Sequence, residues 1–329
     1  MARSNTAVNI GALPVNRVGR DANADKIEQL IQQMKSLHGG DKALFSVIDY
    51  GDGAVPALRQ VLYERDASGI FEARVRAVKA LAAIGARDVL LEFLGAPHNV
   101  ADPVSRLGEE AVVNAAARVL IGWHSKEFYE QLKRIAQQQL LPGVIQALAD
   151  FRDNEAIPIL ITALGEDFSR SAAEDGLAKL GASARQALAA AVASRQPSPE
   201  WESPSSLRRR RSALRLLLKI GVNSKDWPNL RPLIQDSDPT LAFFACKLSL
   251  ASSDTSDRAE IIRRLITLLK SADWFLGRDI EDCLVQYFPD AQEFVDEALR
   301  DGIQPRSKEG DHRLVRVLHR VKARVAASG

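Results

Sequence analysis

Four consecutive arginines, Arg208 to Arg211, followed by Arg215 and Lys219, are the densest run of ligand-binding groups in this 329-residue chain. Guanidinium groups at this density, directly after a Pro/Ser stretch that carries Trp201, suit bidentate binding of carboxylates or phosphates. The same run could instead be a solvated helix face, with Arg210 as a structural contact to a neighbouring helix. Because the run opens a helix, where the macrodipole disfavours positive charge, a bound anion would offset that penalty. Other reactive groups do not converge. His38, His98, His124, His312 and His319 are scattered, and neither His-x-x-x-His nor Cys-x-x-Cys spacing occurs, so no metal site is predicted. Cys246 and Cys283 sit in apolar helical contexts and read as small core fillers rather than nucleophiles. Phosphate-cradling glycine loops, the dinucleotide fingerprint and Gly-x-Ser-x-Gly are missing. Adjacent carboxylates such as Glu174/Asp175 and Glu281/Asp282 point in different directions on a helix. The expectation is a protein without catalytic residues or a cofactor.

The elements that must position these groups are helices. The segments FEARVRAVKALAAIGARDVLLEFL and DFSRSAAEDGLAKLGASARQAL each read as a helix, a Gly turn and a second amphipathic helix. Ala77, Ala80, Leu81 and Ile84 form the buried stripe of the first, and Ala173, Gly176, Leu177 and Leu180 that of the second. RRRRSALRLLLKIGVNSKDWPNLRPLI repeats the phase with Ala213, Leu216, Leu217 and Ile220, and a weaker copy uses Leu241, Ala245 and Leu248. Turn anchors fall near Gly51, Gly85, His124, Arg152, Gly181, Gly221, Ser253 and Phe288, a spacing of about 34 residues that is typical of helix-pair repeats. Alternating Val/Ile/Thr runs bounded by hairpin turns are missing, which predicts an all-α chain.

Those segments resemble the HEAT repeat, in particular the short variety of bilin-lyase-like proteins, with its pattern Asp-x-x-Val-Arg-x-x-Ala-x-x-Ala-Leu-x-x-Ile-Gly. On that pattern Arg74, Arg170 and Arg210 take the structural Arg position and Gly85, Gly181 and Gly221 the closing Gly. Elsewhere the Arg is replaced by Val113, Ala242 or Gly277. The resemblance covers roughly residues 40 to 300. It implies a right-handed α-solenoid of about eight helix pairs, in which the helix bearing the Val-Arg pattern lines a concave face.

On such a face the outward positions are Lys79, Arg118, Gln146 with Asp150, Asp175 with Lys179, Arg215 with Lys219, Lys247, and Asp282 with Gln286. Basic residues outnumber acidic ones there, and Phe243 or Phe244 is expected to face outward beside Lys247 as an interface anchor. The candidate partner-binding residues are therefore Arg208, Arg209, Arg211, Arg215, Lys219, Phe243, Lys247, Lys79 and Arg118. Trp274 and Phe275 follow Asp273, a predicted N-cap. The expected function is a non-enzymatic protein-binding scaffold or adaptor, with a carboxylate-rich protein as partner. The alternatives are binding of a nucleic-acid phosphate backbone, as in HEAT-like DNA glycosylases, and a bilin-lyase-like chromophore chaperone.

Boundaries follow from composition. Residues 1–24 read as a flexible tail, 25–301 as the repeat body, and 302–329 as a linker and a basic capping helix with Leu314, Val317, Leu318, Val321 and Val325 on one side. Two long connections, 96–110 and 194–207, interrupt the repeats. No apolar run is long enough to span a bilayer and no apolar leader opens the chain, so a cytoplasmic protein without membrane contact is expected; the two cysteines fit a reducing compartment. Lys and Arg number 44 against 42 Asp and Glu, and the net charge of +2 excludes a wholly basic coat protein. The balance is uneven, however. Residues 208–215 and 306–324 each carry +5, which leaves −8 on the remainder and marks two places where an anion could bind.

Overall fold

Asp-Pro and Ser-Pro junctions start three of the longer helices. Pro103, Pro204 and Pro239 occupy the first helical turn, where a missing N–H costs nothing, and Asp102, Ser203 and Asp238 cap Ser105, Ser206 and Leu241 N–H at 2.7, 3.2 and 2.9 Å. Both long connections are accordingly shorter than the sequence suggested, because residues 103–110 and 204–207 are already helical. The computed structural model describes residues 17–36, 38–65, 70–196, 202–223, 225–251, 257–302 and 309–328. Among these the chain is all-helical, without a β-strand.

The helices group into two compact units, Met1–Leu132 and Lys133–Gly329. The first contains α1 (Arg17–Met34), α2 (Gly40–Ile48), α3 (Val55–Tyr63), α4 (Glu72–Ile84), α5 (Arg87–Gly95), α6 (Pro103–Val119) and the start of α7 (Lys126–Gln138). The second continues with α8 (Pro142–Asp150), α9 (Ile157–Ala163), α10 (Arg170–Leu180), α11 (Arg185–Ala193), α12 (Pro204–Ile220), α13 (Trp227–Leu230), α14 (Pro239–Leu250), α15 (Arg258–Leu268), α16 (Trp274–Gln286), α17 (Phe288–Gly302) and α18 (Glu309–Ser328). The expected N-terminal tail is cut short by α1, which opens at Arg17; residues 1–16, like Trp201, Ser253 and most of the 302–310 linker, lie outside the described residues. The expected turn anchors Gly51, Gly85, Arg152, Gly181 and Gly221 all have positive φ, Arg152 being the one non-glycine residue among those described.

The buried stripes have a common phase. Ala77, Ala80 and Leu81, then Ala173, Gly176 and Leu177, then Ala213, Leu216 and Leu217 are all buried, while the fourth members Ile84, Leu180 and Ile220 are half-buried. Gly176 shows why small residues stand in the stripe. A Cβ there would come within 2.5 Å of Ala149 Cβ on α8, so α8 and α10 meet closer than any side chain at this position permits.

A second recurring device joins several helix ends to a later helix. The last carbonyls of a helix lack intrahelical donors, and in this chain arginines from a following helix supply them. Arg74 on α4 donates from Nε to Leu62 O of α3 at 2.8 Å, and Arg210 on α12 donates from Nε to Val192 O of α11 at the same distance. Leu62 and Val192 are both penultimate in nine-residue helices. Each arginine then places Nη1 on a carboxylate, Glu109 at 2.8 Å and Glu202 at 2.6 Å. Arg76 caps Met34 O and Ser36 O, and Arg264 caps Ile234 O and Asp236 O. Arg170, assigned the same structural position from the sequence, does not do this. It is half-buried and reaches only Asp167 at 3.5 Å, while the buried hydroxyl of its neighbour Ser169 donates to Leu140 O. A short hydroxyl at the helix start occupies the carbonyl and leaves Arg170 no partner across the interface.

Glu109 on α6 is the electrostatic centre of the first unit. Its side chain is 1% exposed and accepts from Arg74, from Arg65 Nε at 3.0 Å and from His98 Nδ1 at 2.7 Å. Burial alone would raise its pKa, but these hydrogen bonds and the Arg74 charge outweigh it and hold the carboxyl far below its ordinary value. A folded-state pKa below the unfolded one means that stabilisation is present above the ordinary pKa of 4.5 and lost as pH falls below it. Glu109→Gln leaves Arg74 buried without its counter-charge and should cost about 3–5 kcal/mol in urea unfolding at pH 7. The variant should also show a shallower loss of stability than the native chain below pH 4.5. Gly176→Ala should cost about 1–3 kcal/mol through overpacking against Ala149; an unchanged midpoint would contradict the close approach of α8 and α10.

Candidate functional site

The arginine run on α12 is committed inside the protein. Arg208 donates to Gly165 O at 2.8 Å and lies 3.3 Å from Asp167, and Arg209 donates to Ser194 O at 2.9 Å. Arg210 is buried between Glu202 and Asp236, the latter at 2.6 Å. Arg211 donates from Nε to Asp238 at 3.1 Å, on the carboxylate that caps α14. The helix-start penalty for positive charge is reduced by these carbonyls and carboxylates. Phe243 is a correction of another kind. Its side chain is 1% exposed, because α14 is apolar around most of its circumference, with Ala242, Ala245 and Cys246 buried as well. Phe244, half-buried, carries the Arg215 guanidinium 5.6 Å from its ring centroid. Lys79, Arg118, Arg215, Lys219 and Lys247 are exposed, as the helical spacing requires, and are distributed over α4, α6, α12 and α14.

The second basic block behaves differently. α18 packs Leu314, Val317, Leu318 and Val321 into the core. Arg313, Arg316, Arg320 and Arg324, at intervals of three, four and four residues, form a row roughly a quarter turn round from that apolar stripe. The row faces α16 across an open groove of about 840 Å³. Glu281, whose side chain is buried, anchors one half of it by accepting from Arg320 Nη2 at 3.0 Å and Arg324 Nη1 at 3.3 Å; Arg324 also reaches Asp282 at 2.6 Å. In the other half, Arg278, Arg313 and Arg316 have no ion-pair partner among the described residues. Gly277 lies between them, and a Cβ added there would stand 3.6 Å from Arg313 Nη2.

Two aromatic rings close this end. Trp274 and Phe275 are 65% and 75% exposed, with centroids 5.0 Å apart and planes at 83°. They project because Asp273 caps Leu276 N–H at 2.8 Å and so fixes the start of α16, which turns Leu276 and Ile280 inward and leaves the first two residues outside. The Arg278 guanidinium lies 5.9 Å from the Trp274 centroid. Chemically the groove combines guanidinium donors with an exposed π-surface, groups that are able to bind anions and to stack flat rings.

No protein-family model matches the chain, and no curated protein matches it. Among solved structures, the chain aligns with the crystal structure of an engineered protein from the Northeast Structural Genomics Consortium, at 13% identity over 96% of this chain and 90% of that one, with a TM-score of 0.38.

The sequence held part of the groove in view. It marked the basic capping helix and the Trp274/Phe275 pair, but it did not connect them. The available signal was Gly277, which stands where the resembling pattern has Arg and lies in ordinary contact distance of Arg313. Groups with other chemistry are enclosed. Both cysteines are buried, and burial pushes the thiols up, Cys246 to about 12 and Cys283 to about 11. Each is protonated at neutral pH and shielded from reagents. No group of three or more His, Cys, Asp or Glu that could hold a metal occurs among the described residues. Ellman's reagent at pH 8 should therefore label neither thiol on the minute timescale in the native chain and both after unfolding in guanidinium; rapid labelling of the native protein would contradict this packing.

Proposed function

We propose that this chain is a non-enzymatic binding scaffold of HEAT-like helix pairs, acting in a reducing compartment such as the cytoplasm, and that it holds an anionic partner in the groove between α16 and α18. The observation that carries this reading is the set of three guanidinium groups, Arg278, Arg313 and Arg316, without an ion-pair partner among the described residues and beside two exposed aromatic rings. Charge at this density repels itself, and a bound anion relieves the repulsion. The HEAT-like part rests on the shared phase of three buried stripes and on the equivalent contacts of Arg74 and Arg210. The partner chemistry inferred from the sequence, a carboxylate-rich protein or a phosphate backbone, is kept; its place moves from Arg208–Arg211 to the last helix. No described helix is long and apolar enough to cross a membrane.

Immobilised heparin serves as a generic polyanion probe. The native chain should be retained well beyond what a net charge of +2 would give, and the double variant Arg313→Glu/Arg316→Glu should elute at less than half the salt concentration with unchanged helicity. The control Lys79→Glu/Arg118→Glu, which changes net charge equally outside the groove, should elute close to the native position. Equal shifts in both double variants would refute the groove as the binding site.

A further inference from the structure

We infer that the anion taken by this groove is a single-stranded nucleic acid, with phosphates on Arg278, Arg313 and Arg316 and a base stacked on Trp274. The inference rests on the anion-binding reading above and names the ligand class. It follows from what the groove lining can and cannot exchange with a polymer. The lining offers guanidinium donors along its whole length, and its one carboxylate, Glu281, has both oxygens occupied, Oε2 by Arg320 and Oε1 by Arg324. An extended acidic peptide would bring a backbone N–H with every residue and meet no matching acceptor in this lining, so its backbone gains nothing from the wall. A phosphodiester strand brings only acceptors on its backbone and matches a donor-only wall.

The aromatic end points the same way. An apolar peptide anchor gains its energy by filling a concave pocket, whereas Trp274 and Phe275 stand out from the start of α16 with most of their surface in water. An open ring face is sufficient for a nucleobase, which stacks without needing a pocket. Stacking requires bases that are not already paired, so the fit is to a single strand. The dimensions agree as well. From Arg313 to Arg316 the helix rises about 4.5 Å, a little more than the step of about 3.4 Å between stacked nucleotides of one strand. The open, unpaired half at Arg313 and Arg316 sits beside Trp274, so phosphate and base sites are adjacent.

The test uses the full chain and a fluorescein-labelled 15-mer of deoxythymidine, followed by anisotropy from 50 to 200 mM salt. Three phosphate contacts on a single strand give a slope of log K against log salt near −2, or about a 20-fold loss of affinity over that range. Arg316→Ala should make that slope shallower by about 0.7. Trp274→Ala should weaken binding about tenfold with the slope unchanged, and Trp274→Phe should restore most of the loss; both sites are on the surface, and circular dichroism checks that the variants fold. A duplex of the same length bound as tightly as the single strand overturns the inference, and so does a Trp274→Ala variant with native affinity. A 15-residue polyglutamate peptide that binds where the oligonucleotide does not overturns it too, while leaving the proposed function standing. If neither probe binds at 50 mM salt, both fail.

Discussion

The interaction on which the structure depends is a guanidinium held against the open end of a helix. Helices of nine residues, such as α3 and α11, leave nearly half of their carbonyls without an intrahelical donor. Where these ends turn into the packed interior, water cannot supply the missing bonds. Arginine can, because its planar fork donates in two directions and its charge complements the negative end of the helix dipole. Arg74 and Arg210 bridge a carbonyl on one side and a carboxylate on the other, so each fixes the distance and the rotation between two successive helices. The carboxylates are in turn held by further donors. Glu109 has Arg65 and His98, and Glu202 accepts the Ser206 hydroxyl at 2.6 Å. A buried pair of this kind is strongly destabilised when one member is removed, and it is this dependence, more than net attraction, that makes the contact specify one packing.

That constraint decides which basic residues remain for function. The α12 run looks like a ligand site in sequence because its charge is concentrated, yet α12 adjoins the ends of two helices and the start of a third. Gly165 and Ser194 offer carbonyls, and Asp236 and Asp238 offer carboxylates, each within reach of a different arginine. On α18 only the second half of the row finds such partners. α16 supplies Glu281 and Asp282 to Arg320 and Arg324, whereas Arg313 and Arg316 have no ion-pair partner among the described residues.

The sequence carried the fold further than the site. The helical class, the phase of the buried stripes and the positive-φ turns at Gly85, Gly181 and Gly221 all come from local chemistry, in which small residues and glycines have few alternative uses. The helix starts at Pro103 and Pro204 fall within stretches that look like connections by composition, although a Pro after a capping side chain is a start signal. Phe243 was misplaced because a spacing rule for outward positions takes no account of a helix enclosed on most sides. The His98–Glu109 contact could not be foreseen at all, since eleven residues separate its members and only the turn into α6 brings them together. Long-range pairing of arginines with carbonyls is invisible for the same reason: a carbonyl is present at every residue and leaves no mark in the sequence.

The groove unites these two lessons. Glu281 fixes the α16–α18 pair through Arg320 and Arg324, which is the structural use of arginine seen throughout the chain, and in doing so it aligns Arg313 and Arg316 along the same face. The anchored half holds the open half in place, so an incoming anion meets guanidinium groups on a helix that is already docked. Ordering costs on binding fall mainly on the side-chain ends of Arg278, Arg313 and Arg316 rather than on the backbone. A chain that used every arginine internally would be equally well packed and would have no such surface. What separates α18 from α12 is that, among the described residues, no carboxylate pairs with Arg313 or Arg316, and that local surplus of positive charge is what the proposed anionic partner would neutralise.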